Sequence, residues 1–187
     1  MIVLYVISQR SELNIERPQQ ILVRRRAALG DAIMSTGVVR ELKLRYDCEI
    51  DVATEFPAVY KDNTNVRKVY HTEQMPDPLK YDMYVNLDDA YEYNPKNHYV
   101  DSYFYRAFGN SRVENKSVEL FETELDAQIV NDFLSKHQLE KYITIHIRQW
   151  HWPLKNMDWQ IWYSVFEKLF TVREDFKIVC VGSPSDG

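Results

Sequence analysis

Arg24, Arg25, Arg26, Gly30 and Asp31 bring three guanidinium groups, a glycine and a carboxylate into one short stretch. A carboxylate can exchange a proton with a bound ligand. Guanidinium forks suit phosphate or acid groups on an anionic ligand. Consecutive side chains leaving a strand cannot all face one site, so the expected ligand contacts are Arg24 or Arg26. Asp31 could equally cap the helix it opens, since aspartate is a common capping residue.

The elements that would position these groups are written in Ile21–Tyr46. Ile21, Leu22 and Val23 form a short apolar run of the kind found in buried parallel strands. Met34, Val38, Leu42 and Tyr46 recur every four residues, which predicts a helix starting near Asp31. Strand, tight loop and helix make the first half of a βαβ unit, and open α/β sheets bind ligands beyond the carboxyl ends of such strands. The helix N-terminus adds unpaired N–H groups and partial positive charge at that point.

The loop carries one glycine, so it is neither G-x-G-x-x-G nor a G-K-[ST] phosphate loop. That argues against a nicotinamide-dependent oxidoreductase. ILVR…ALGDAIMSTGVVREL instead resembles the opening of the ADP-heptose:lipopolysaccharide heptosyltransferase family, inverting glycosyltransferases built from two Rossmann-like domains in the GT-B arrangement. A second resemblance lies in Tyr142–Asp186, where His146, Lys155, Trp162, Gly182 and Asp186 occupy the slots of I-H, the loop lysine, a later tryptophan and V-G-x-x-x-D. Two departures stand out: Met157-Asp158 replaces the usual Trp-Pro, and Trp152-Pro153 precedes the lysine.

The resemblance implies an α/β fold: an N-terminal, acceptor-side Rossmann-like domain over residues 21–139 and the beginning of a donor-side one over 140–187. Residues 1–20 are an extension it does not explain. It implies transfer of a heptose-like sugar from a nucleotide-diphosphate donor to a saccharide, with inversion, as in lipopolysaccharide or surface glycan synthesis. Asp31 would be the general base, with Arg24, Arg26, Gly30 and His98 binding acceptor. His146, Arg148, Lys155, Gly182 and Ser183 would meet the donor, Lys155 neutralising the leaving diphosphate in a role that needs no metal. No cofactor is therefore expected. With only two strands and one helix of the donor side present, a partner chain or further sequence would have to cover an open sheet edge. The alternative is a non-catalytic saccharide- or nucleotide-binding module.

Between the two motifs, strands are predicted over 49–54, 66–70 and 81–87, and helices over 98–108, closed by Gly109, and 124–137. Residues 110–122 read as irregular or a short strand. A second strand–helix–strand pattern covers 142–147, 159–170 and 176–181. Asp88-Asp89 could form a carboxylate pair for proton transfer or metal binding, but adjacent acids more often cap or face water.

Apolar content of 45% and charge of 27% over 187 residues fit a globular protein. A net charge of −5 gives no reason to expect nucleic acid or an anionic membrane. No stretch approaches the length of a transmembrane helix. MIVLYVIS lacks a basic lead and a cleavage site, so it reads as a strand, with a short peripheral membrane contact as the alternative. Cys48 and Cys180 have no metal or disulfide spacing and are expected as buried, reduced thiols in a cytoplasmic protein.

Overall fold

The computed structural model describes residues 17–93, 95–146, 157–173 and 175–182. The chain divides into two compact units, residues 1–122 and 123–187.

The first unit is built on four parallel strands, β1 (Gln20–Arg24), β2 (Glu49–Ala53), β3 (Lys68–Tyr70) and β4 (Met83–Asn86). Their spatial order is β3-β2-β1-β4. Ile21 pairs with Ile50 on one side and Met83 on the other, which makes β1 an interior strand. Its apolar run follows from that position: Ile21, Leu22 and Val23 are all fully buried, as a parallel strand covered on both faces requires. Alternate residues Ile21, Val23, Ile50, Val52 and Val85 share one core with helices α1 (Leu29–Tyr46) and α2 (Tyr99–Phe108).

Helix α1 ends where Asp47 turns left-handed (φ 47°) and returns its N–H to the Lys43 carbonyl at 2.8 Å. Val38 and Leu42 of the expected stripe are buried, yet so are Ser35, Thr36, Val39 and Arg40. A strap of irregular chain explains the wider burial. Arg40 donates from Nη2 to the Asn115 carbonyl at 2.7 Å and from Nη1 to the Ser117 carbonyl at 2.9 Å. The Glu119 N–H donates to Thr36 Oγ1 at 2.8 Å. Gly37 allows this approach, because a Cβ there would sit 2.8 Å from the Ser117 carbonyl oxygen.

On the alternating face of β2, Asp51 is fully buried and held by Arg67 Nε at 2.9 Å, Arg67 Nη2 at 2.7 Å and the Tyr81 hydroxyl at 2.6 Å. Arg67 also pairs with Glu49. Burial alone would favour the neutral acid, but the bonds from Arg67 and Tyr81 outweigh it and lower the Asp51 pKa.

The second unit contains α3 (Glu124–Lys136), β5 (Tyr142–Ile145), α4 (Trp159–Val172) and β6 (Lys177–Cys180), with β5 and β6 paired in parallel. Thr123 and Asp126 close a reciprocal capping box on α3, and Asp158 caps α4. Among the described residues of this unit none is buried, and Ile129, Phe133, Ile161 and Tyr163 are all more than 40% exposed. Cys48 is buried as expected, whereas Cys180 is exposed, because the two-stranded sheet leaves its face open. No described helix is long and apolar enough to cross a membrane.

Two stability outcomes follow from the first unit. Gly37→Val should lower the urea midpoint by about 1–3 kcal/mol of stability, because the strap must retreat from α1. A native pKa below the unfolded one means that Asp51 contributes stability above about pH 4 and loses it as pH falls through the folded value. Asp51→Asn should flatten that acid limb in pH-dependent denaturation while costing about 1–3 kcal/mol at neutral pH, since a neutral amide replaces the carboxylate between Arg67 and Tyr81.

Candidate active site at the β1–β4 crevice

Strand order reverses direction between β1 and β4, so the crevice beyond their carboxyl ends is the switch point where open α/β sheets take ligands. The loop after β1 and the loop after β4 meet there. Asp88, just past β4, fastens them: its Oδ1 accepts the Arg26 N–H at 2.7 Å and its Oδ2 pairs with Arg24 Nε at 2.8 Å. The Asp88-Asp89 pair is thus a structural tie plus a left-handed turn at Asp89 (φ 55°).

Asp31 stands in the first turn of α1. Its Oδ2 accepts the Ala28 N–H at 2.9 Å, which fills the helix's N-terminal bonding need from inside, since Ala28 has no capping side chain. Its Oδ1 receives the Tyr103 hydroxyl at 2.5 Å and Arg25 Nη2 at 3.1 Å. The carboxylate is therefore both a helix cap and the centre of a charged cluster. Its side chain retains 15% exposure, enough to meet a ligand from the crevice.

Arg25 is the arginine that reaches this carboxylate. Its side chain is 5% exposed, donates to the Leu87 carbonyl at 3.1 Å, and lies 5.4 Å and 6.0 Å from the Tyr103 and Tyr91 ring centres. Burial works against its charge, but Tyr103 and Asp31 more than offset that and raise its pKa. Burial, followed by the bond to Asp31, pushes the Tyr103 phenol well above the ordinary tyrosine range.

The sequence-predicted residues distribute unevenly. Arg24 is committed to Asp88, while Arg26 is 61% exposed with only a long 3.9 Å pairing to Glu55, so it is the freer cation at the crevice. Gly30 is exposed, and nothing lies within 4 Å of where its Cβ would be. His98 is the N-cap residue of α2, exposed, with its ring 6.3 Å from that of Tyr99. In the second unit His146 follows β5 and Gly182 follows β6; the Val181 N–H bonds the Ile145 carbonyl at 2.8 Å, so both residues leave the same end of the sheet. Arg148, Lys155 and Ser183 lie outside the described residues.

Arg25 and Tyr103 are the groups that sequence reasoning passed over. Arg25 sat inside the motif, but strand alternation alone does not say which of three arginines turns inward. Tyr103 lies 72 residues from Asp31 and has no spacing signal to connect them.

No protein-family model matches the chain, and no curated protein matches it. Among solved structures, it is similar to the glycosyl transferase family 9 protein of Veillonella parvula, with a TM-score of 0.70 and 17% identity. That match covers 90% of this chain and 63% of the other. It is also similar to TibC of enterotoxigenic E. coli, an iron-containing dodecameric glycosyltransferase, with a TM-score of 0.61, 12% identity, and 90% and 43% coverage. The chain thus spans less than two thirds of either length. The likeness is one of fold: an α/β chain with a four-stranded parallel sheet, matching a GT-B-like glycosyltransferase.

The expectation that no cofactor is involved is corrected by TibC, a structural relative that contains iron. A lysine able to neutralise a diphosphate speaks only to that electrostatic step and leaves a metal elsewhere in the fold untouched. Among the described residues, no group of three or more His, Cys, Asp or Glu is gathered to hold one.

Breaking the buried cluster should be costly. Arg25→Met should destabilise by about 3–5 kcal/mol, and Tyr103→Phe by about 1–3 kcal/mol, in chemical denaturation. The Arg25/Asp31 double-mutant cycle should show non-additivity. Tyr103 favours its protonated form in the fold, so its stabilisation is complete below about pH 10 and fades as pH rises further. Ultraviolet titration of wild type against Tyr103→Phe should place this phenol's ionisation only where the fold is lost.

Proposed function

We propose that the chain is part of an inverting glycosyltransferase, with the acceptor side in the first unit and the beginning of the donor side in the second. The observation that carries this is Asp31, fixed by Arg25, Tyr103 and the Ala28 N–H at the switch point of the sheet, beside open space at Gly30. The likeness of fold to two glycosyltransferases supports the same reading.

In this mechanism Asp31 takes the proton of an acceptor hydroxyl while its oxygen bonds the anomeric carbon. The bond from that carbon to the donor diphosphate breaks on the opposite face, which inverts the configuration. The hydroxyl becomes acidic as it bonds to carbon, so the proton transfer to the carboxylate is late. Oδ1 is occupied by Tyr103 and Arg25, which leaves Oδ2, bonded among the described residues by the Ala28 N–H, with room for the incoming proton. Arg26 and His98 would engage polar or acidic groups of the saccharide, while Arg24 acts indirectly by bracing the loop through Asp88. His146, Arg148, Lys155, Gly182 and Ser183 would face the donor diphosphate. The donor is proposed as a heptose-like nucleotide sugar, the setting as cytoplasmic synthesis of lipopolysaccharide or another surface glycan. Whole transfer is proposed for an assembly whose donor-side sheet is complete, in a longer polypeptide or with a partner chain.

A non-catalytic saccharide- or nucleotide-binding module is the second reading, favoured by the exposed, two-stranded second unit. In an assembly with a complete donor-side sheet, Asp31→Asn should cut turnover of a nucleotide-heptose donor by about 10²–10⁴-fold. Donor turnover that is absent in wild type, or unaffected by Asp31→Asn, rules for the binding module or against this base. Gly30→Ala should leave the fold intact or gain about 1 kcal/mol in the helix, yet raise the acceptor KM by filling the open approach.

A further inference from the structure

Helix α2 carries a second line of aromatic groups away from Asp31. Tyr103 and Tyr99 are four residues apart, so they lie on the same helix face, one turn or about 5.4 Å from each other. Tyr103 is fully buried with its hydroxyl on Asp31, whereas Tyr99 is 59% exposed. Tyr91, from the connection after β4, lies between them: its ring centre is 6.4 Å from that of Tyr103 and 5.0 Å from that of Tyr99. The Tyr91 and Tyr99 planes meet at 47°, forming an angled ledge rather than a closed stack.

We propose that Tyr91 and Tyr99 form a stacking platform that receives a pyranose ring of the acceptor saccharide, next to the carboxylate that deprotonates it. This rests on the glycosyltransferase reading and deepens it by assigning the acceptor subsite. A pyranose ring has an apolar C–H face and a hydroxyl-bearing rim. The face gains by covering an aromatic surface that is otherwise wet, while the rim stays in reach of polar groups. A sugar seated on Tyr99 and Tyr91 would lie about one helical turn along α2 from Tyr103, whose hydroxyl holds Asp31. Arg106 lies over the Tyr93 ring at 5.3 Å and Arg25 over the Tyr91 ring at 6.0 Å, so within the ledge it is exposed Tyr99 that offers the sugar a ring face, with Tyr91 flanking it. Among the described residues, the rings near Tyr99 are those of Tyr91 and His98. His98, at the outer edge of the ledge, is placed to bond a hydroxyl of the same sugar.

Saturation-transfer NMR on the full chain, with methyl mannopyranoside and methyl glucopyranoside at millimolar concentration, tests the platform without requiring turnover. Wild type should saturate ring C–H protons of at least one probe. Tyr99→Ala should weaken that binding about tenfold, a loss of about 1.4 kcal/mol, and Tyr99→Phe should keep it. Circular dichroism on Tyr99→Ala should be unchanged, because the ring is mostly exposed. Equal binding by wild type and Tyr99→Ala, or no transfer to either probe, overturns the platform. The transferase reading fails separately, by absent donor turnover in a protein whose ledge still binds pyranosides.

Discussion

A guanidinium taken out of water keeps its charge and is costly to bury without an anion, and Arg25 finds its anion in Asp31. That pairing fixes more than two side chains. Asp31 is simultaneously the internal cap of α1, so the helix cannot start elsewhere without leaving the buried cation unpaired. Tyr103 completes the arrangement from α2, which locks the second helix to the first through the same carboxylate. The cluster therefore sets the relation between the central strand, its following helix and the helix after β4. A carboxylate rigidified in this way is held in one orientation, which is what the proposed proton transfer would need.

The sheet supplies the crevice and the cluster places a charged carboxylate at it. With β1 inside and β4 on its far side, the crevice opens between two loops that must be tied together, and Asp88 does this through Arg24 and the Arg26 amide. Three neighbouring arginines thus serve different ends: Arg24 braces, Arg25 charges the site from below, and Arg26 remains toward solvent. Farther along, Tyr91 and Tyr99 continue the aromatic surface outward from Tyr103. Reaction geometry, loop bracing and the proposed sugar platform are all drawn from the same two connections.

The second unit obeys different physics. Its elements are well specified locally, with side-chain caps at Thr123 and Asp158, yet its apolar groups are not covered. Local signals suffice to write helices and strands, whereas burying them needs further layers of structure. His146 and Gly182 leaving the same end of a parallel pair suit a ligand contact there. The first unit, by contrast, has a continuous core from β1 to α2.

Periodicity and punctuation alone determined the elements: the apolar run of β1, the stripe of Val38 and Leu42, the alternation of β2 and the Gly109 stop of α2 are local consequences of backbone geometry. The Gly-Asp pair also marked the start of α1, because a carboxylate at a helix start is a local feature. Which arginine served it was not local. Adjacent side chains at a strand end diverge, and only the packing of β4 and α2 decides that Arg25 turns inward while Arg24 meets Asp88. Tyr103 entered the site for the same reason, across 72 residues of chain. The burial of Arg40 and the crowding at Gly37 likewise came from the 115–119 strap, whose irregular sequence carries no period. Sequence wrote the elements and one acid; the fold chose the acid's partners, because charge pairing depends on distance in space rather than distance along the chain.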